Sequence, residues 1–225
     1  MNNLNEYDQV RFQAEFQNST LYQQILSDFD IVLWDKNVGE VPSLTPRQLR
    51  GERIFTLAPF YYLNKLVETN PKEIHDIGCG WNIFKKYITN IIGVDFRAKY
   101  ADKQAFVNEY YVTTHKECFE SAFSICSLHY GSLVNLEKSI NDFVSMIKTN
   151  GRGFLSLNLA RMIEKTSSEE NINLFGTTIP TNEQYDQYIR SVVGKIPCEY
   201  LIVDIDISTK DEYLNGNIRL VFEKR

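Results

Sequence analysis

Two aspartates bracket a glycine-rich turn in the stretch EIHDIGCGWNIFKKYITNIIGVDF, residues 73–96. An apolar run ends at Asp76, Gly78-Cys79-Gly80 follow, and a second apolar run ends at Asp95. A turn of this kind after a buried strand brings backbone N–H groups to a sheet edge, where they can receive a ligand. Glycine permits the dihedrals required and removes the Cβ that would block approach. Asp95 lies 17 residues beyond Gly78 and ends the next strand, so its carboxylate stands beside the turn and can accept bonds from both hydroxyls of a ribose. Asp76 would repel a diphosphate and suits a ligand carrying a positive amine. Asn82 stands where a third glycine is expected, and its short polar side chain tolerates the left-handed conformation that such a position demands. A plain tight turn explains the glycines alone; it does not explain the two acids.

These residues resemble the class I S-adenosylmethionine-dependent methyltransferases, whose first motif runs acid-x-Gly-x-Gly-x-Gly. Here it reads Asp76-Ile77-Gly78-Cys79-Gly80-Trp81-Asn82, and Asp95 matches the family's ribose-binding acid. The resemblance spans residues 71–225 and departs from the pattern at Asn82. It implies S-adenosyl-L-methionine as cofactor, held by Asp76, Gly78, Cys79, Gly80, Asn82 and Asp95. It implies further that Phe96 covers the adenine ring, that Asn108 or Glu109 contacts the base, and that Ser127, Leu128, His129 and Tyr130 stand between cofactor and acceptor. Of the last four, Ser127 and Leu128 are assigned to the cofactor. His129 is the candidate general base, because an unperturbed imidazole titrates near neutral pH. The competing roles are structural: a core aromatic for Phe96, solvated turns for Asn108 and Glu109, a loop hydrogen bond for His129. His75, inside a buried strand, reads as a satisfied core histidine, and nothing singles out His115.

The resemblance implies methyl transfer to oxygen or nitrogen of a small molecule, a sugar or a protein side chain. Such a transfer is an in-line displacement in which positioning supplies much of the acceleration. The motifs of the nucleic-acid subgroups are missing: no N-P-P-Y or D-P-P-Y follows the fourth strand, and Pro197-Cys198 lies just before the sixth. A non-catalytic nucleoside-binding or scaffold protein on the same fold is the alternative. A nicotinamide-dependent oxidoreductase is disfavoured by Asp76. Arg47, Arg50 and Arg53 could reach an anionic acceptor or the donor's carboxylate, although a solvated helix face accounts for them better.

The elements that must position these groups follow from hydrophobic periodicity. After Pro71, short apolar runs at 73–77, 91–95, 104–107, 122–128, 152–159, 199–208 and 217–223 read as strands. Between them helices are expected at 82–89, 114–120, 133–148 and 182–193, the last two with one apolar face each. Strands alternating with helices imply a parallel sheet covered on both sides. No helix fits in KDEYLNGN, so the last two strands should form an antiparallel hairpin. The expected fold is therefore a three-layer α/β, Rossmann-like domain with a seven-stranded, mostly parallel sheet ending in that hairpin. Residues 1–70 read as a helical segment preceding a domain of residues 71–225. In it Thr45-Pro46 opens a helix that Pro59 should bend. Residues 1–70 and 160–182 are the expected lid and acceptor pocket.

A net charge of −5 argues against a chain built to grip a phosphate backbone. No apolar run is long enough to cross a bilayer, and the first residues lack the regions of a signal peptide, so the cytoplasm is expected. Cys79, Cys118, Cys126 and Cys198 lack metal-ligand or disulfide-framework spacing and read as reduced thiols.

Overall fold

The computed structural model describes residues 15–26, 29–33, 42–46, 58–80, 82–96, 99–128, 131–210 and 213–225. Arg47, Arg50, Arg53, Trp81, His129 and Tyr130 lie outside the described residues. The strands are β1 (Phe29–Leu33), β2 (Pro42–Pro46), β3 (Ile74–Ile77), β4 (Ile91–Asp95), β5 (Lys103–Gln104), β6 (Phe119–Ile125), β7 (Ile147–Asn158), β8 (Glu199–Lys210) and β9 (Tyr213–Glu223). The helices are α1 (Thr20–Leu26), α2 (Ala58–Val67), α3 (Glu109–Thr114), α4 (Leu136–Met146), α5 (Leu159–Lys165), α6 (Ser168–Phe175) and α7 (Asn182–Lys195).

Seven strands form one sheet in the order β5-β4-β3-β6-β7-β9-β8. The first five pair in parallel, and β9 runs antiparallel to both β7 and β8. The expected sheet and terminal hairpin are thus present. One side of the sheet carries the core of α3, α4, α5 and α7. The other carries a second core in which α1 and α2 pack on Phe123, Phe154, Ile202 and Val221. Tyr62 of α2 is fully buried and stacks on Phe154 with ring centroids 5.0 Å apart. Burying one such side chain contributes roughly 1.5–3 kcal/mol.

Several boundaries differ from the sequence expectation, each for a local reason. The third helix runs over 109–114 rather than 114–120, because Asn108 accepts a hydrogen bond from the Tyr111 N–H at 3.0 Å and so caps an earlier start. Strand β6 accordingly begins at Phe119, and β5 shrinks to Lys103–Gln104. Helix α4 is preceded by a 3-10 turn, Leu133–Asn135, and β7 begins where α4 ends. Pro59 stands in the first described turn of α2, and the stretch before it in which the bend is expected, 47–57, lies outside the described residues. Thr45-Pro46 does not open a helix: the two residues close β2, opposite Asp30 and Phe29 in an antiparallel hairpin. Residues 160–182 hold α5 and α6, the latter opened by a reciprocal capping box between Ser167 and Glu170.

Two connections in the parallel half of the sheet are very short. Between β3 and β4 the chain makes one four-residue 3-10 turn, Ile83–Lys86, inside the helix expected at 82–89. Between β4 and β5 no helix occurs among the described residues. At the other end, β7 pairs with β9 as far as Asn158–Asn217, whereas β8 and β9 stay paired to Lys210–Tyr213. The hairpin therefore projects past the edge where the parallel strands end. No helix among the described residues is long and apolar enough to cross a membrane.

Candidate functional site

The chain reverses its direction of winding between β3 and β6. From β3 it proceeds outward through β4 to β5; from β6 it proceeds the other way through β7. Open α/β sheets bind ligands at such a point, outside the carboxyl ends of the strands. β3 and β6 pair only through His75–Ala122 and Asp76–Phe123, after which they part. The carbonyl of Ile77, left without a ladder partner from β6, accepts a buried hydrogen bond from Ser124 Oγ at 2.9 Å.

The glycine turn closes this crevice. The N–H groups of Gly78 and Cys79 both donate to the Val94 carbonyl, at 2.8 and 3.0 Å, and the Gly80 N–H donates to Asp95 Oδ2 at 2.9 Å. Gly78 (φ +79°) and Gly80 (φ +55°) are both left-handed. A Cβ on Gly78 would lie 2.3 Å from Ser127 Cβ, whereas one on Gly80 would meet nothing within 4 Å. Gly78 is thus demanded by packing, and Gly80 leaves an open cradle beside Asp95.

Asp76 and Asp95 are 3% and 8% exposed. Asp76 lies behind the turn, and its Oδ2 has no hydrogen-bond partner. Burial, and then the neighbouring Asp95, push its pKa well above the usual carboxylate range. Burial and the carboxylates of Asp76, Asp95 and Asp102 push the Cys79 thiol up to about 12. That thiol stays protonated at neutral pH and is no nucleophile. The arrangement is an open turn over an acid that no described residue compensates. A positive group seated on the turn would compensate it.

Asn82 adopts the left-handed conformation expected of it, with φ 51° and ψ 37°. It also does something the sequence did not announce. Its Nδ2 donates to the Tyr100 carbonyl at 3.1 Å and to Asp102 Oδ2 at 3.0 Å. The same Asp102 oxygen accepts the Gly93 N–H at 2.8 Å, and Lys85 pairs with the other oxygen. Burial works against the Asp102 carboxylate, but the hydrogen bonds from Lys85, Gly93 and Asn82 outweigh it and hold its pKa below the usual range. The turn, β4 and the segment before β5 are tied together by one carboxylate.

The remaining residues named from the sequence are spread around this centre. Phe96 is 52% exposed and stands edge-on to Phe106, 67% exposed, with centroids 6.1 Å apart. Phe96 is therefore no core residue. Phe106 opens a groove of about 530 Å³ that also takes in Gln104, Asn108, Tyr110 and His115. Asn108 lends its side-chain oxygen to the α3 cap, and exposed Glu109 pairs with Lys138 of α4 at 3.1 Å. Ser127 Oγ donates to the Gly78 carbonyl at 2.9 Å, so that hydroxyl braces the turn. The side chain of Leu128 is 1% exposed, inside the larger core. His75 is buried and stacks on Phe119 at 4.3 Å, but its Nδ1 has no partner, so it is a core histidine left partly unsatisfied. Burial, followed by Lys103, lowers its pKa.

Sequence reasoning missed a polar cluster two strands away. Asp204 Oδ2 accepts from Arg219 Nη1 at 2.7 Å and from the hydroxyl of Tyr62. Its trace in the sequence is Asp204, which follows Ile202 and opens the polar set Asp204, Asp206 and Ser208 on one side of the alternation.

No protein-family model and no curated protein matches the chain. Among solved structures, it resembles a SAM-dependent methyltransferase from Methanosarcina mazei at 12% identity and a TM-score of 0.41, covering 70% of this chain and 96% of that one. A SAM-dependent methyltransferase from Archaeoglobus fulgidus aligns at 14% identity with a TM-score of 0.36, over 72% and 92% of the two chains. The CurJ carbon methyltransferase aligns at 11% identity with a TM-score of 0.40, over 72% of this chain and 51% of its own. The strand order and the terminal antiparallel pair are those of a Rossmann-like, mostly parallel seven-stranded sheet.

Proposed function

We propose that this protein is an S-adenosyl-L-methionine-dependent methyltransferase acting on an oxygen or nitrogen of a small molecule, sugar or protein side chain. The observation that carries this reading is Asp76: a buried carboxylate with an unpartnered oxygen, behind an open glycine turn at the point where the sheet reverses its winding. The residues fit the cofactor. Asp95 would receive the ribose, Phe96 and Phe106 would flank the base, and Gly78 to Gly80 would lie along the amino-acid tail. Asp76 would favour the tail's ammonium from behind. The bound cofactor supplies an electrophilic methyl on a sulfonium, and the chain's own task is to orient the acceptor and keep water out. A cytoplasmic location accords with this reading.

A second reading, a nucleoside-binding protein without turnover, draws on Asn82 in place of the third glycine and on the single 3-10 turn, Ile83–Lys86, that follows it. Thermal unfolding with S-adenosylmethionine, S-adenosylhomocysteine and NADH decides, because a ligand that binds only the folded state raises the midpoint. The sulfur nucleosides should stabilise the wild type and not Asp95→Ala. Absence of any shift with both nucleosides sinks the proposal. Stabilisation without homocysteine-nucleoside product across a broad acceptor panel favours the second reading.

A further inference from the structure

We propose that Arg219 receives the carboxylate of the methyl acceptor, which makes the acceptor a small singly charged carboxylic acid; this rests on the methyltransferase reading above. Towards the carboxyl edge, the sheet face under α2 changes character in one step. Phe154, Val221 and Ile202 form an apolar row across β7, β9 and β8. The next row on that face is Ser156, Arg219 and Asp204, and the one beyond it holds Asn217 and Asp206. A face that only had to pack against α2 would stay apolar.

Arg219 is built to bind something more. A guanidinium has five N–H donors in a fixed fork. One nitrogen, Nη1, donates to Asp204, and the group sits 6.0 Å from the centroid of the Tyr62 ring. Nε and Nη2 make no hydrogen bond to any described residue, yet neither is sealed from solvent. Asp204, itself held by Tyr62, therefore orients a fork whose free donors face accessible space. Planar two-point donation of this kind matches a carboxylate.

The position suits an acceptor. Ser127 touches Gly78; its neighbour Cys126 donates its N–H to the Ser156 carbonyl at 2.8 Å; Ser156 pairs with Arg219 on the next strand. Arg219 thus lies along the same edge as the glycine turn, beside the projecting hairpin. The surrounding charge narrows the ligand further. Asp204 and exposed Asp206 carry two negative charges near Arg219, and Arg161 adds a positive one close to Cys126. A dianion such as phosphate is disfavoured there, and a carboxylate carrying an amine is tolerated.

The test is a nuclear magnetic resonance titration of the labelled full chain with propionate, its neutral amide, glycine and inorganic phosphate, with and without S-adenosylhomocysteine. Propionate and glycine should bind saturably and shift the Arg219 side-chain signals, while the amide should not bind and phosphate should bind more weakly. Arg219→Gln should weaken propionate binding by roughly tenfold to a hundredfold, the range for a charge-assisted pair. Tyr62→Phe removes a bond from the same cluster but not the fork, so it should change propionate binding by no more than about threefold. Equal binding of propionate and its amide, equal binding by Arg219→Gln, a preference for phosphate, or equal losses in both variants would each overturn the assignment. Propionate binding that depends on Arg219 in a protein that never binds S-adenosylhomocysteine would leave the carboxylate site standing and overturn its role as an acceptor site.

Discussion

Asn82 fills the space that a side chain on Gly93 would need. A Cβ built on Gly93 lies 2.6 Å from Asn82 Cγ and Nδ2, and Asp102 holds both residues through their nitrogens. The residue that breaks the glycine pattern is thus matched by a glycine in the next strand. Gly93→Ala should destabilise the protein by about 1–3 kcal/mol, the usual cost of overpacking. Adding Asn82→Gly should return most of that loss, giving a coupling of roughly 1 kcal/mol or more in a double-mutant cycle followed by urea unfolding. Additive losses would show that the two side-chain positions do not compete.

Asp76 sets stability against binding. A carboxyl whose folded pKa lies above its unfolded one favours the protonated state. Its contribution is complete below the ordinary carboxylate range and is lost as the pH rises through that range towards the raised value. Asp76→Asn should therefore raise the midpoint of the ligand-free protein at neutral pH by about 2–4 °C, the effect of 1 kcal/mol in a chain of this size. The same change should weaken S-adenosylhomocysteine roughly tenfold. It should also flatten a wild-type affinity that climbs as the pH rises above the carboxylate range. Calorimetry at several pH values measures both effects.

Gly78 and Gly80 should fail differently when changed to alanine. At Gly78 the new methyl meets Ser127 and a left-handed backbone together, so stability should drop by about 2–4 kcal/mol. At Gly80 only the backbone penalty of about 1 kcal/mol applies, while the methyl stands in the open cradle. Unfolding midpoints should single out Gly78→Ala, and S-adenosylhomocysteine affinity should single out Gly80→Ala.

The Tyr62 hydroxyl belongs to a cross-layer tie from α2 to β8. Tyr62→Phe should cost about 1 kcal/mol, since Asp204 keeps Arg219 as a partner. Chemical denaturation should show the loss with an unchanged dependence on denaturant.

What the sequence disclosed was local. Ile91–Asp95 appeared with the expected ends because an apolar run bounded by Asn90 and an acid admits one reading. The left-handed Asn82 followed from side-chain size. What it concealed was set by partners distant in the chain. Nothing near Asn82 points to Asp102 or Gly93, and nothing near Arg219 points to Tyr62. The early start of α3 turned on one asparagine oxygen choosing a backbone N–H. The depth of Asp76 behind its turn came from how β3 is flanked by β4 and β6, which periodicity does not report.

The brevity of the link from β3 to β4 has a consequence for the order of assembly. Asp76 finds Gly93 across a single 3-10 turn, whereas Phe154 must wait for Val221 near the end of the chain. Closing the first loop costs little entropy and closing the second costs more. During synthesis from the N-terminus, the turn with its two acids can therefore take shape while β9, and with it Arg219, has yet to emerge.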